Sequence, residues 1–471
     1  MRPQKKIRKG DSAFYVVAAF LCGVFIAGEH WNSRVVFIVM LIAGAIMFLL
    51  FQKPIIGAYA LIIFFAYLLG ITYYSAYIHY ATASIHLPPG KNAAFFGLVM
   101  DEPKQAGNFI MLPLKLSRPY SGTIDIFASP IAQFHYGDML WARGTIDASK
   151  NIDEDPVIFL PQLSLVTSNN GFWLKAWSIN AKIFIAQKFA QLFSSDKAML
   201  LTGIVLGNMN GISVTLKTEM DASGTSYIVG MYGYKIAIIS LVMAFLLKDF
   251  LPKKWLLFLT IVIAWLFVFI SGGSVSAIRA GVMGCLALLA AGLGRIFFAR
   301  NALTFTALAM ILINPRVLVD ATFQLSFLSF LGIYYLGQPI KNAFHWKDCG
   351  WLQWKEHAML SLATNLAILP VVINVFGGFS LLSLVSNVLI MIPWVLILFF
   401  GIMSIVLASI FLPLAFVAIQ IENILLSYEL FIIHIFSNIV IPIPSVFTSN
   451  AAIVFYYGML LLVIYYYGEV A

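Results

Sequence analysis

The residues with the clearest chemical potential lie in Ser271-Gly272-Gly273-Ser274-Val275-Ser276-Ala277-Ile278-Arg279-Ala280-Gly281. This stretch sits between two apolar runs, Trp255 to Ile270 and Val282 to Leu293. Arg279 therefore falls about a turn and a half into a membrane-type helix. A guanidinium there is costly unless water, protein or a ligand solvates it. Ser271, Ser274 and Ser276 precede it with hydroxyls, and Gly272 and Gly273 allow a tight reversal. The set suits anion handling, as a polar constriction on a transport path. An arginine that snorkels to an interface, or is locked to a carboxylate, leaves the same signature.

Other polar residues punctuate apolar runs elsewhere. Ser223-Gly224-Thr225-Ser226 opens a long apolar segment holding Gly230, Gly233 and Lys235, and the segment before it, Asp196–Leu206, is too short to span a bilayer. Interrupted segments at membrane depth are tolerated where they line a cavity or are buried in protein, which makes Thr225, Ser226 and Lys235 candidates for a path. Hydroxyls and glycines also simply pack helices together. Gln324, Ser326, Asn365 and Asn387 are further neutral candidates. Glu422 and Glu429 are seven apart, hence on one helical face. Pairing of either with Arg279 or Lys235 is the favoured reading, a proton-coupled carboxylate the alternative, and Asp320 is a third possible charge partner.

Several chemistries leave no trace. The chain contains neither a phosphate-binding glycine loop nor a dinucleotide fingerprint, and its seven histidines have no metal-ligand spacing. Gly-x-Ser-x-Gly is absent, and no base neighbours Ser274 or Ser276. The three cysteines, Cys22, Cys285 and Cys349, imply no disulfide framework. No catalytic residue, cofactor or metal is expected.

The elements that must position these residues are membrane helices. The chain has 471 residues, 61% hydrophobic and only 10% charged, arranged in repeated long uncharged runs. Its net charge of +9 is clustered, with Arg2, Lys5, Lys6, Arg8 and Lys9 crowding an N-terminus expected to be cytosolic. Spans are expected at Ala13–Gly28, Val35–Phe51 and Ile55–Tyr74, a three-helix region over residues 1–80. Further apolar segments from residue 195 to 471 bring the expected total to about ten or eleven spans.

Between the two membrane regions the pattern changes. Over residues 91–168, strands are expected at Ala94–Met100, Phe109–Leu116, Thr123–Ala128, Met139–Ile146 and Val157–Val166. Five short strands fit a small closed OB-like barrel, placed outside the cytosol by the preceding helices. Such barrels stack single strands on aromatics, but acidic residues outnumber basic ones here, and most of the aromatics read as core. Residues 169–194, with Trp173 and Trp177 one turn apart, suit an amphipathic helix at the membrane interface. The fold class is thus a polytopic α-helical membrane protein with one small extracytoplasmic β-barrel domain.

Taken in order, these parts resemble a ComEC-type competence protein. Leu206-Gly207-Asn208 and Ser223-Gly224-Thr225-Ser226 resemble the start of the family's membrane domain. Ser274-Val275-Ser276-Ala277-Ile278-Arg279-Ala280 resembles its Ser-Pro-Ser-x-x-Arg-Ala signature, with Val275 for the proline. Phe323-Gln324-Leu325-Ser326-Phe327 is similar to the next signature, and Leu369-Pro370, Phe376-Gly377, Phe379-Ser380, Asn387 and Pro393 follow in order. Two family histidines are replaced, at Tyr227 and Lys235. The family's metallo-β-lactamase-like nuclease domain has no counterpart in this sequence, so no nuclease activity or zinc is expected.

The resemblance implies a channel in the cytoplasmic membrane that admits one strand of transforming DNA. Arg279, with Lys235, would meet phosphates, and Ser274, Ser276, Thr225, Ser226, Gln324, Ser326, Asn365 and Asn387 would add neutral contacts. Implied partners are single-stranded DNA, membrane lipid, a DNA-receptor protein outside, a helicase or ATPase inside, and a second copy of the chain. The alternative is a secondary transporter of a small anionic solute using Arg279 with Glu422 or Glu429.

Overall fold

The structure, a computed structural model, describes residues 9–28, 54–83, 92–106, 109–118, 120–129, 134–146, 156–207, 211–344, 354–376, 379–380, 382–439, 442–443 and 450–467. It divides into two compact units, Met1–Asn180 with Thr304–Val319, and Ala181–Leu303 with Asp320–Ala471.

In the first unit α1 (Lys9–Gly28) packs along α2 (Pro54–Ala83). Gly23 lies against the Tyr67 carbonyl and Ile71, and Gly70 against the Phe20 carbonyl and Val24, so each helix presents bare backbone to the other. Gly28 meets Tyr74 further along. Contacts therefore advance together on both helices, which run parallel. The helix expected over Val35–Phe51 lies outside the described residues.

The sheet domain follows: β1 (Asn92–Val99), β2 (Lys104–Ala106), β3 (Phe109–Leu116), β4 (Thr123–Ala128), β5 (Met139–Thr145), β6 (Val157–Phe159) and β7 (Gln162–Thr167). Alternate residues of β3 and β4, among them Leu112, Leu114, Ile124 and Ile126, form its core with Phe95, Leu140 and Ile158. Seven strands are present where five were expected, because Val157–Val166 breaks at Leu160-Pro161 and Lys104–Ala106 adds a short pair with β3. The closed barrel is also corrected. The order β6-β4-β3-β1-β5-β7 leaves β6 and β7 as unpaired edges, with β6 parallel to β4. A flat sheet of that order would separate its edges by about 24 Å. Phe159 and Gln162 are joined by only Leu160 and Pro161, a link of about 11 Å at full stretch. The sheet must therefore curl strongly without hydrogen-bonding shut. Gly144 permits the curl, since a Cβ there would stand 2.9 Å from Ile158 and 3.1 Å from Pro161.

The sheet is fastened to the start of α3 (Trp173–Leu192), a helix that continues into the second unit. Lys175 Nζ donates to the Met100 carbonyl at 2.7 Å, pairs with Asp101 at 3.0 Å and lies 5.1 Å from the Tyr136 ring centre. Burial would raise the Asp101 carboxyl, but the charge and hydrogen bond of Lys175, the Lys104 charge and a backbone bond at Glu102 hold it below the usual carboxylate range.

The second unit is helical: α4 (Ser195–Leu206), α5 (Val214–Ser223), a 3-10 turn (Ser226–Gly230), α6 (Tyr232–Leu247), α7 (Lys253–Ile270) and α8 (Val275–Gly292). α9 (Ala299–Ile313) belongs partly to each unit, and a second 3-10 turn (Pro315–Leu318) to the first. Then come α10 (Ala321–Ala343), α11 (Trp354–Phe376), α12 (Ser383–Met391), α13 (Trp394–Ile410), α14 (Leu412–Asn438) and α15 (Asn450–Tyr467), with β8 (Phe379–Ser380) pairing β9 (Pro442–Ile443). Leu200, Leu201, Ile204, Trp394, Ile397 and Leu426 centre the main core, so the short α4 is buried in protein.

Among the described residues five helices are long and apolar enough to cross a membrane, or six counting the bent pair α12–α13; four shorter apolar helices accompany them. The apolar stretch of α12 and α13 bends by 48° at Ile392-Pro393, where proline lacks a donor for the helical ladder. The segment after Ser223 spends a 3-10 turn before α6 begins.

Candidate functional site

The hairpin α7–α8 presents the arginine. Ser271 Oγ donates back to the Phe267 carbonyl at 2.8 Å, and Ser274 caps α8, its Oγ accepting from Ala277 N at 3.3 Å. The Ser271 hydroxyl serves the turn itself, and the Ser274 hydroxyl also meets the Tyr232 hydroxyl of α6. Ser276 is buried on the first turn of α8.

Arg279 reaches α10. Its Nε donates to Ser326 Oγ at 2.6 Å, and Nη1 approaches Met283 Sδ at 3.8 Å. The guanidinium carbon lies 5.8 Å from the Phe327 ring centre and 5.9 Å from that of Phe330. Phe323 stacks on Phe327 at 4.0 Å, which fixes this aromatic wall. All of these partners are neutral, so the site keeps a full positive charge in an aromatic, largely dehydrated setting. Sequence reasoning found Ser326 but missed Phe327 and Phe330. The available signal was spacing, since Ser326 and Phe330 lie one turn apart on one face.

Lys235 is a second buried basic side chain, only 2% exposed. Its Nζ donates to the Val229 carbonyl at 2.8 Å and sits 4.7 Å from the Tyr232 ring centre. The 3-10 turn supplies that carbonyl, since helix termini leave such groups without helical partners. Tyr232 in turn donates its hydroxyl to the Gly207 carbonyl at 2.8 Å, tying α6 to the end of α4.

The remaining candidates fall elsewhere. Thr225 is fully buried, its Oγ1 2.9 Å from Ser223 Oγ, while Ser386 Oγ donates to the Ser223 carbonyl at 2.9 Å. Gly224 has φ +70°, and a Cβ there would collide with Ser383. This polar knot packs α5 against α12. Ser226 Oγ donates to Asp221 Oδ1 at 2.5 Å. Asn365 Nδ2 donates to Ser361 Oγ at 3.3 Å, Asn387 is buried with Oδ1 unpartnered, and Gln324 is half-buried on α10. No contact joins Arg279 to Lys235 among the described residues.

The expected charge partners do not pair with either cation among the described residues. Asp320 instead caps α10, its Oδ1 accepting from Thr322 N at 2.7 Å and Phe323 N at 3.2 Å. Glu422 and Glu429 are 0% and 1% exposed, and both Glu422 oxygens and Oε1 of Glu429 lack hydrogen-bond partners. Nearby Lys197 donates to the carbonyl and Oδ1 of Asn423, at 3.1 and 3.3 Å. No group of three or more metal-ligating side chains exists among the described residues.

Arg279, Ser326, the Gly224 turn and the two buried carboxylates all lie within the reach of one family match. A family model described as Competence protein covers residues 204–470, more than half of the chain. No curated protein and no solved structure matches. The chain belongs to the competence protein family, whose role is in DNA uptake.

Proposed function

We propose that this protein is a multi-pass channel of the cytoplasmic membrane that conducts single-stranded DNA during natural transformation. The observation that carries the reading is Arg279, a cation in a membrane helix held by a hydroxyl, a thioether and two rings, with no carboxylate neutralising it among the described residues. An intramembrane charge left uncompensated is a site for an opposite charge. Phosphates in file are such a ligand, and neutral partners bind weakly enough to let them leave. Lys235 offers a second cationic station. The chain supplies no chemistry of its own in this reading, and a cytosolic helicase or ATPase supplies the motive force. The N-terminus is cytosolic and the sheet domain faces outward, where a receptor protein hands over DNA.

The test is uptake of labelled DNA by the native host carrying wild type or Arg279→Leu at matched membrane levels. Loss of cytosolic label with surface binding intact supports the channel. Equal uptake by wild type and a full deletion overturns it.

One observation favours a second reading. Glu422 and Glu429 are buried, unpaired carboxylates on α14, as a proton-coupled carrier of a small anion would need. Anion uptake by vesicles that depends on both Arg279 and a glutamate, without DNA transport, would select it.

A further inference from the structure

We propose that Tyr232 is the positioning residue of the two basic stations, setting Arg279 through its hydroxyl and Lys235 through its ring. The proposal rests on the channel reading above. Tyr232 opens α6 directly after the 3-10 turn and is only 4% exposed. Helical side chains tilt toward the N-terminus, which brings this hydroxyl to the end of α4. Gly207 closes α4 at φ +76°, and a Cβ there would collide with the Tyr232 ring. Its missing side chain lets the hydroxyl donate to the Gly207 carbonyl at 2.8 Å.

The same hydroxyl meets Ser274, the cap of α8. A hydroxyl carries one proton and two lone pairs. The Tyr232 proton is spent on Gly207, so Ser274 donates and Tyr232 accepts. Ser274 in turn accepts from Ala277 N at 3.3 Å. The bonds therefore run one way, from the first turn of α8 through Ser274 and Tyr232 to α4. Such chains strengthen each member, and removing the middle hydroxyl breaks this one at both ends.

The Tyr232 ring packs with Ile236, Ala264, Val268, Ala277 and Ala280. Ala277 and Ala280 bracket Arg279 on α8, while Ser326 holds the guanidinium from α10. The arginine is thus fixed at its backbone by Tyr232 and at its head by Ser326. Lys235 stands three residues along α6, on the same face as Tyr232. Its Nζ lies 4.7 Å from the Tyr232 ring centre and donates to the Val229 carbonyl. The two basic side chains do not touch among the described residues, and Tyr232 is their common support.

The experiment measures the rate of DNA entry against DNA concentration in the native host, with all variants at matched membrane levels. Tyr232→Phe keeps the ring, its packing and its contact with Lys235, and removes only the hydroxyl. Its maximum rate should fall about fivefold, while the half-saturating DNA concentration stays at the wild-type value. Ser274→Gly retains most of the helix cap but has no proton to donate, and should show the same split. It carries the test if Tyr232→Phe is not recovered in the membrane. Combining the two should cost no more than Tyr232→Phe alone, since both delete the Ser274–Tyr232 bond. Tyr234→Phe should match wild type, because that ring packs edge-on against Trp394 instead. Wild-type rates in Tyr232→Phe, or an additive loss in the double variant, would overturn the role of Tyr232 and leave the channel standing. So would a change confined to the half-saturating concentration. Equal entry into wild type and a full deletion would overturn both.

Discussion

Arg279 Nε donates to Ser326 Oγ at 2.6 Å, joining α8 to α10 across 47 positions of sequence. The bond orients the guanidinium without neutralising it. Removing the hydroxyl and removing the charge should therefore have different effects. Ser326→Ala forfeits one charge-assisted bond, about 1.5–3 kcal/mol. We predict reduced but measurable transformation for Ser326→Ala, near-wild-type activity for Ser326→Thr, and loss for Arg279→Leu. Arg279→Lys keeps charge but loses the planar fork and should fall between them. Transformation frequency at matched protein levels gives the order; equal activity of Arg279→Leu and Ser326→Ala would show that charge is not what matters.

Glu422 and Glu429 make an opposite prediction for stability. A buried carboxylate without partners is a burden on the fold, and the amide of similar size removes the charge. Glu422→Gln should leave the thermal midpoint of the purified protein unchanged or raised, whereas Glu422→Ala opens a cavity and should lower it. A marked loss of stability in the Gln variant would show that the carboxylate has a partner.

The fastening of the sheet domain to α3 should be acid-sensitive. Asp101 is held below the usual carboxylate range, so its contribution is fully present above that range and is lost as pH falls through the lowered value. The pair is more than a third exposed, so water and salt keep the effect below about 1 kcal/mol. Fluorescence of Trp173 and Trp177 during acidification should show a step that shrinks in Lys175→Met. An identical step in both would place the acid response elsewhere.

Gly224→Ala should be among the most damaging single changes in the second unit. It places a Cβ on a residue at φ +70° and drives it into Ser383. Gly272→Ala, at φ +91° with open space around it, carries the backbone strain alone and should cost less. Comparing yields of folded protein from the two variants separates collision from strain.

How much was legible in the sequence depended on what each feature rests on. β3 and β4 could be bounded from alternation alone, because their inward residues, such as Leu112, Leu114, Ile124 and Ile126, repeat every second position. The break at Leu160-Pro161 was missed although Pro161 inside Val157–Val166 is a strand-breaking residue, and the curl that separates its halves is set by long-range pairing. Arg279 and Ser326 were readable as polar interruptions of apolar helices. Their contact was not, since spacing within one helix says nothing about its neighbour. The charge pairing expected of Glu422 and Glu429 followed a sound general rule, yet the nearby ammonium of Lys197 finds Asn423 instead. Asp320 was drawn away by its own helix start.

The bare backbone contacts of Gly23 with Tyr67 and of Gly70 with Phe20 also bear on the order in which the protein assembles. Two helices that run parallel cannot zip together as a hairpin while they leave the ribosome. The chain between them must first carry the leading end of α2 back to the side where α1 began. Until then the glycine faces stay unmatched, and a register slipped by one turn would press Ala19, Ala27, Ala66 or Tyr74 against a carbonyl. The first unit therefore closes late and in one register, which makes its closure a checkpoint on correct insertion.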